Sequence, residues 1–169
     1  MPALTIRPAT PDDLATLQPL IRRAYRGDSA RAGWTHEADL LEGERIGSDE
    51  LAAMVAASTE RLLLAFERDR MIGCVRVADL GGGLAYLGLL CIDPLLQARG
   101  YGKQLIAAAE ATARDEFNAD RIEMTVIESR RELIDYYLRR GYVATAERRD
   151  FPVPLDPSLF MTVLEKPLR

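Results

Sequence analysis

The chain opens on an alternation of apolar and polar residues, Leu4-Thr5-Ile6-Arg7, which predicts a first strand. Thr10-Pro11-Asp12-Asp13 then carries the marks of a helix start: a capping threonine, a proline where a missing N–H costs nothing, and two acids at the positive end of the dipole. Leu14, Leu17, Ile21 and Ala24 follow at spacings of three and four, one apolar helical face, with Gly27 as the expected stop. From Asp28 to Gly47 the pattern dissolves around Gly33, Gly43 and Gly47, apart from a short helical turn expected from Ala38 to Glu44. Ser48 or Asp49 caps the next helix, whose Leu51, Met54 and Val55 face inward.

Beyond this point the period becomes that of strands. Arg61–Glu67, Met71–Leu80 and Leu84–Ile92 are joined by the turns Arg68-Asp69-Arg70 and Gly81-Gly82-Gly83 into an expected antiparallel meander. Asp93-Pro94 stops the third strand, because proline cannot continue a central ladder. A helix from Gly100 or Tyr101 to Phe117 aligns Leu105, Ile106, Ala109 and Ala113 on one face, and the alanines permit close packing. Arg121–Glu128 reads as a strand and Arg131–Arg140 as a helix capped by Gly141. Tyr142–Ala146 and Leu159–Leu164 are the last strands, with Pro152, Pro154 and Pro157 in the loop between them. No repeat or linker interrupts the pattern, so residues 1–169 read as one mixed α/β domain.

Composition narrows the function classes. With 22 basic and 26 acidic residues the net charge is −4, which argues against a general nucleic-acid binder but leaves room for a local basic site. Met1 to Pro8 shows no charged leader before an apolar stretch, and no apolar run reaches the roughly 20 residues of a membrane span. Cys74 and Cys91 each sit inside an apolar strand and read as buried small hydrophobes of a reducing cytoplasm. With one histidine and two separated cysteines, the sequence offers no metal cluster.

The candidate chemistry lies between Leu90 and Lys103, where a strand passes through the loop Gln97-Ala98-Arg99-Gly100-Tyr101-Gly102 into a helix. A helix start has unpaired N–H groups and a partial positive charge, and two glycines there let an anion reach the backbone. Arg99 and Lys103 add charge beside it. That is a physical recipe for a pyrophosphate, although the glycines alone read equally well as a tight turn with solvated basic residues. The loop lacks the Gly-Lys-Ser/Thr of a P-loop and the third glycine of a dinucleotide fingerprint.

Together with two segments nearer the C-terminus, this loop resembles the GNAT superfamily of acyl-CoA-dependent N-acyltransferases. Gln97 to Gly102 is similar to the family's Gln/Arg-x-x-Gly-x-Gly/Ala signature after a strand. Asp135-Tyr136-Tyr137-Leu138-Arg139-Arg140-Gly141-Tyr142 is similar to its aromatic-Tyr-x-x-x-Gly-Phe/Tyr segment, and Phe160 to Leu168 to its last strand. The order of elements matches from Leu4 to Leu168. The resemblance implies a mixed, mostly antiparallel twisted sheet of about seven strands with helices on both faces. It also implies acetyl-CoA as cosubstrate, its pyrophosphate on the amides of Gln97, Ala98, Arg99, Gly100, Tyr101 and Gly102 with Lys103 beyond. The backbone of Leu90, Cys91 and Ile92 would pair with the pantetheine arm like an added strand, which requires that strand to splay from its neighbour. An N–H in the same stretch would polarise the thioester carbonyl.

By the same resemblance Tyr137 protonates the leaving thiolate; a phenol near pKa 10 and a thiol near 8.5 differ by only about 1.5 units. Packing against the face shared with Leu133 is the plainer role for that tyrosine, and Tyr136 reads as structural. Arg130 stands where many members carry asparagine, so the contacts of that turn are open. The acceptor is expected to be a primary amine of a small molecule or peptide. At neutral pH only about one alkylamine in 2,500 is uncharged, so a base would help. His36, Glu37, Asp79, Glu123 and Glu128 are the candidates. Gly33-Trp34-Thr35-His36-Glu37-Ala38-Asp39-Leu40-Leu41 falls in a region that lies over the acceptor site in this family. Trp34, His36 and Glu37 are therefore substrate-side candidates, or parts of a lid with solvated charges. A non-catalytic acyl-CoA-binding regulatory module would need the same loop. Monomer and homodimer both remain open.

Overall fold

The computed structural model of the chain describes residues 4–32, 47–96, 99–150 and 160–169, and only the backbone of residues 25–32. Seven strands form one sheet: β1 (Leu4–Pro8), β2 (Glu60–Glu67), β3 (Arg70–Gly81), β4 (Leu84–Ile92), β5 (Arg121–Ile127), β6 (Val143–Asp150) and β7 (Phe160–Pro167). Among the described residues four α-helices accompany them, α1 (Leu14–Ala32), α2 (Ser48–Ala56), α3 (Tyr101–Glu116) and α4 (Arg131–Arg139). The sheet order is β1-β2-β3-β4-β5-β7-β6, antiparallel throughout except between β4 and β5. The parallel step is the one that needs a crossover, and α3 supplies it.

Strand alternation separates two cores. Leu62, Leu64, Met71, Cys74 and Cys91 face α1 and α2, where Leu17, Leu20, Ile21, Ala24 and Leu51 meet them. Leu63, Val75, Leu87, Ile122, Met124 and Leu164 face the other way, toward Leu105, Ile106, Ala109 and Ala113 of α3 and Ile134 and Tyr137 of α4. Helices thus cover both faces, as expected. The two thiols are free, buried and directly opposite each other on β3 and β4. Contact with Cys91 and burial both raise the Cys74 pKa. Among the described residues no helix is long and apolar enough to cross a membrane.

Several boundaries differ from the sequence reading. Pro11–Asp13 forms a 3-10 turn before α1, closed by Asp13, whose carboxylate accepts from the Thr10 N–H at 2.7 Å and from both Arg7 terminal nitrogens. Helix α1 runs on through Gly27 to Ala32, since an interior glycine costs only about 1 kcal/mol and the residues after it support a helix. The cap of α2 is Gly47, leaving Ser48 inside the helix and bonded to Gln18. β6 reaches Asp150 instead of ending at Ala146, and β7 reaches Pro167. Charge hides both extensions: Arg148 and Arg149 are held by Glu128 and Glu123, and Lys166 by Glu110, so these polar residues continue the strands. The helical turn expected at 38–44 and the proline loop lie outside the described residues.

Candidate functional site

β4 and β5 pair only through Leu84–Tyr86 and Arg121–Glu123, then part company. From Leu87 onward β4 keeps β3 on one edge and has no ladder to β5 on the other. A bulge helps to peel it away. Between the pairs Cys74–Cys91 and Arg76–Gly88, one residue of β3 faces two of β4, and Leu89 takes the left-handed conformation at φ 51°. A leucine there costs about 1–2 kcal/mol of backbone strain. Cys74 donates to the Leu89 carbonyl at 3.4 Å, which helps to hold it. The expected splay of Leu90, Cys91 and Ile92 from the neighbouring strand is therefore present.

At its far end β4 is stopped by Asp93, which is 3% exposed. One of its carboxylate oxygens accepts from the Leu95 N–H at 3.0 Å, and the other meets Arg70 at 3.2 Å. Arg23 of α1 lies 3.7 Å from that second oxygen. Asp93→Ala leaves a turn donor unpaired and two arginines without their acid, and is expected to cost about 2 kcal/mol. At roughly 2–4 °C per kcal/mol, thermal melting should show a loss of roughly 4–8 °C. A midpoint within a degree of wild type would remove Asp93 from this role.

Gln97 and Ala98 lie outside the described residues. Gly100 caps α3 at φ 81°, a conformation that favours glycine, with no side chain capping the helix. The first N–H groups of α3 have no carbonyl partner within the helix. A Cβ on Gly102 would stand 3.2 Å from the Tyr136 hydroxyl, so that glycine admits the phenol at the helix start. The Tyr136 ring lies 4.9 Å from the Arg140 guanidinium. Tyr136 thus touches the candidate loop, a contact the sequence reading missed. Tyr101 turns its side chain inward, donating to Glu67, and that bond raises its pKa while nearby Arg99 draws it down. Only the Tyr101 backbone is left for a ligand, whereas Lys103 is exposed on the first turn.

Tyr137 is 7% exposed and belongs to the same core as Leu87, with Leu90 and Ile92 packed against it. Its ring meets Tyr136 edge-on at 5.4 Å and Tyr142 at 6.1 Å. Tyr142 donates to Glu110 at 2.9 Å, and Lys166 binds both Glu110 oxygens at 3.1 Å. Burial first, then the Glu110 charge, push the Tyr142 pKa far up. A raised phenol pKa adds stability that is complete below about pH 10 and is lost as pH rises above it. Tyr142→Phe should cost about 1 kcal/mol at pH 7 and flatten the fall in stability above about pH 10. Urea titrations from pH 7 to 11 would test this, and an unchanged alkaline slope would contradict it. Arg130 caps α4 and gives its backbone N–H to the Ile127 carbonyl at 2.9 Å.

The base candidates differ in where they sit. Asp79 accepts from Gly81 N–H at 2.9 Å in the β3–β4 hairpin. Glu128 is gripped by Arg148 through two bonds, and its pKa is lowered for that reason. Glu123 is 4% exposed, paired to Arg149 at 2.9 and 3.3 Å, and stands at the apex of the β4–β5 opening. Trp34, His36 and Glu37 lie outside the described residues.

Comparison with known proteins gives a consistent result. The PaiA N-acetyltransferase of Thermoplasma acidophilum, solved with coenzyme A, is 20% identical and superposes with a TM-score of 0.78 over 98% of this chain and 99% of that one. A spermidine N-acetyltransferase of Vibrio cholerae in complex with CoA and spermine is 17% identical, with a TM-score of 0.75 over 98% and 95%. The ribosomal-protein-S18-alanine N-acetyltransferase of Escherichia coli is 15% identical, with a TM-score of 0.74 over 98% and 94%. At these identities the likeness is one of fold. No curated protein matches the chain. The sequence model of the acetyltransferase (GNAT) family matches residues 19–142, which span the fork, the start of α3 and Tyr137. On that match, the chain belongs to the acetyltransferase (GNAT) family.

Proposed function

We propose that the chain is an N-acetyltransferase that moves an acetyl group from acetyl-CoA to a primary amine of a small molecule or peptide by direct attack. The carrying observation is the fork: an unladdered β4 edge, followed in the chain by a helix whose N-cap is glycine. The residues fit the cosubstrate. The backbone of Leu90, Cys91 and Ile92 offers a strand edge to amide groups, and the α3 start with Gly100, Gly102 and Lys103 suits two phosphates. Acetyl-CoA, when bound, supplies an activated thioester.

The chain's own groups then handle charge and protons. A β4 N–H donates to the thioester oxygen as negative charge develops there. Tyr137 gives its proton to the departing sulfur. The acceptor must first shed a proton, and Glu123, buried at the apex beside Arg149, can receive it through water. Two of the similar structures carry names that point to amines, a polyamine in one and a protein alanine in the other, which supports an amine acceptor here.

Calorimetric titration with CoA, then thiol release from acetyl-CoA against polyamines, amino acids and short peptides, tests the proposal. Release with one acceptor class is the expected result. Binding of CoA with no release across all three classes would favour a regulatory acyl-CoA-binding module. Absence of CoA binding would end both readings.

A further inference from the structure

Tyr86 spans the opening that the fork creates. It is the last β4 residue paired with β5, opposite Glu123. Its hydroxyl meets the Thr125 hydroxyl of β5 at 2.9 Å, two residues beyond that pair on the open side. The ring lies over Gly88, where a Cβ would stand 2.9 Å from Tyr86 Cε1. Arg76 approaches the ring from β3 at 5.9 Å and is itself tied to Glu60. The phenol is thus a bar across the narrow end of the gap, latched on β5 and seated on a residue without a side chain.

We infer that the Tyr86–Thr125 bar limits the acyl group to short chains, an inference that rests on the proposed acyl-CoA site. An arm that starts at the α3 N-terminus and runs along β4 passes from Ile92 back toward Gly88. Its acyl end therefore points into the apex. On the α3 and α4 side that apex is filled by Leu87, Ile122 and Met124, each at most 3% exposed. The other way out is closed by the Tyr86 ring. An acetyl group ends before the ring, whereas a six-carbon chain must displace it and break the bond to Thr125.

Calorimetric affinities of CoA, acetyl-CoA and hexanoyl-CoA for the wild-type chain, Tyr86→Ala and Thr125→Ala test this without an acceptor. Wild type should bind hexanoyl-CoA about tenfold or more weakly than acetyl-CoA. Tyr86→Ala should bring the two affinities within about twofold, and Thr125→Ala, which frees the latch but keeps the ring, should fall between. Equal wild-type affinities, or an unchanged ratio in both variants, would overturn the bar while CoA binding upholds the acyl-CoA site. A wild type that binds none of the three would overturn the site and the bar together. Were Tyr86→Ala to lose its fold, the Thr125→Ala ratio alone would decide.

Discussion

Tyr137→Phe should lower turnover by about 10²–10⁴-fold and leave CoA affinity nearly unchanged, as expected for loss of one general acid. The substitution removes an oxygen and keeps a ring that is 7% exposed and held edge-on by Tyr136 and Tyr142. Packing therefore persists, and with it the wall behind Leu90 and Ile92. A tyrosine that merely packs would change the thermal midpoint more than the rate. The informative measurement is single-turnover thiol release beside a CoA titration on the same preparation. Unchanged turnover would strike out the acid role, and loss of both rate and binding would recast Tyr137 as a structural support.

The second large effect is expected at Gly73→Ala. An added Cβ would lie 2.7 Å from the Cys91 carbonyl oxygen, 2.8 Å from Ile92 Cδ1 and 3.1 Å from Leu105 Cδ1. The nearest of these is backbone, which cannot swing aside as a side-chain tip does. Forcing a methyl into such a core costs about 1–3 kcal/mol, or roughly 2–12 °C in Tm for a chain of this size. Relief must come from moving β4 away from β3 at Cys91 or lifting α3 at Leu105. Either shift disturbs the strand edge proposed for the pantetheine arm. CoA affinity should thus fall together with Tm, and a stable variant with full affinity would show that the edge tolerates displacement.

Much of the scaffold was legible because its signals are local. The triple glycine at 81–83, the proline at 94 and the Gly100-Tyr101-Gly102 helix start each act through their own backbone. β4 runs from Leu84 to Ile92 as expected. What escaped notice depends on distant partners. Nothing in Leu-Gly-Leu-Leu-Cys says that Leu89, with a glycine beside it, takes the left-handed turn, because β3 register makes that choice. The Tyr86–Thr125 contact joins residues 39 apart, so it leaves no trace in periodicity. Tyr136 reads as an ordinary helix residue until its hydroxyl is placed beside Gly102 of α3. Gly73 gave no hint of its tight surroundings for the same reason. The acceptor-side candidates Trp34, His36 and Glu37 remain expectations from their resemblance alone.

The short β4–β5 seam has a mechanical consequence. Three residue pairs join a sheet half built from β1 to β4 to another built from β5 to β7, and α3 is the covalent strap between them. Strain applied across the sheet concentrates there, where a parallel ladder of that length resists it least. Amide exchange along β5 should then separate into a protected edge against β7 and a faster one at Arg121 and Glu123, the alternate amides on the β4 side. A molecule lying in the gap would act as a rivet, slowing exchange on both sides of the seam without touching either half's own hydrogen bonds.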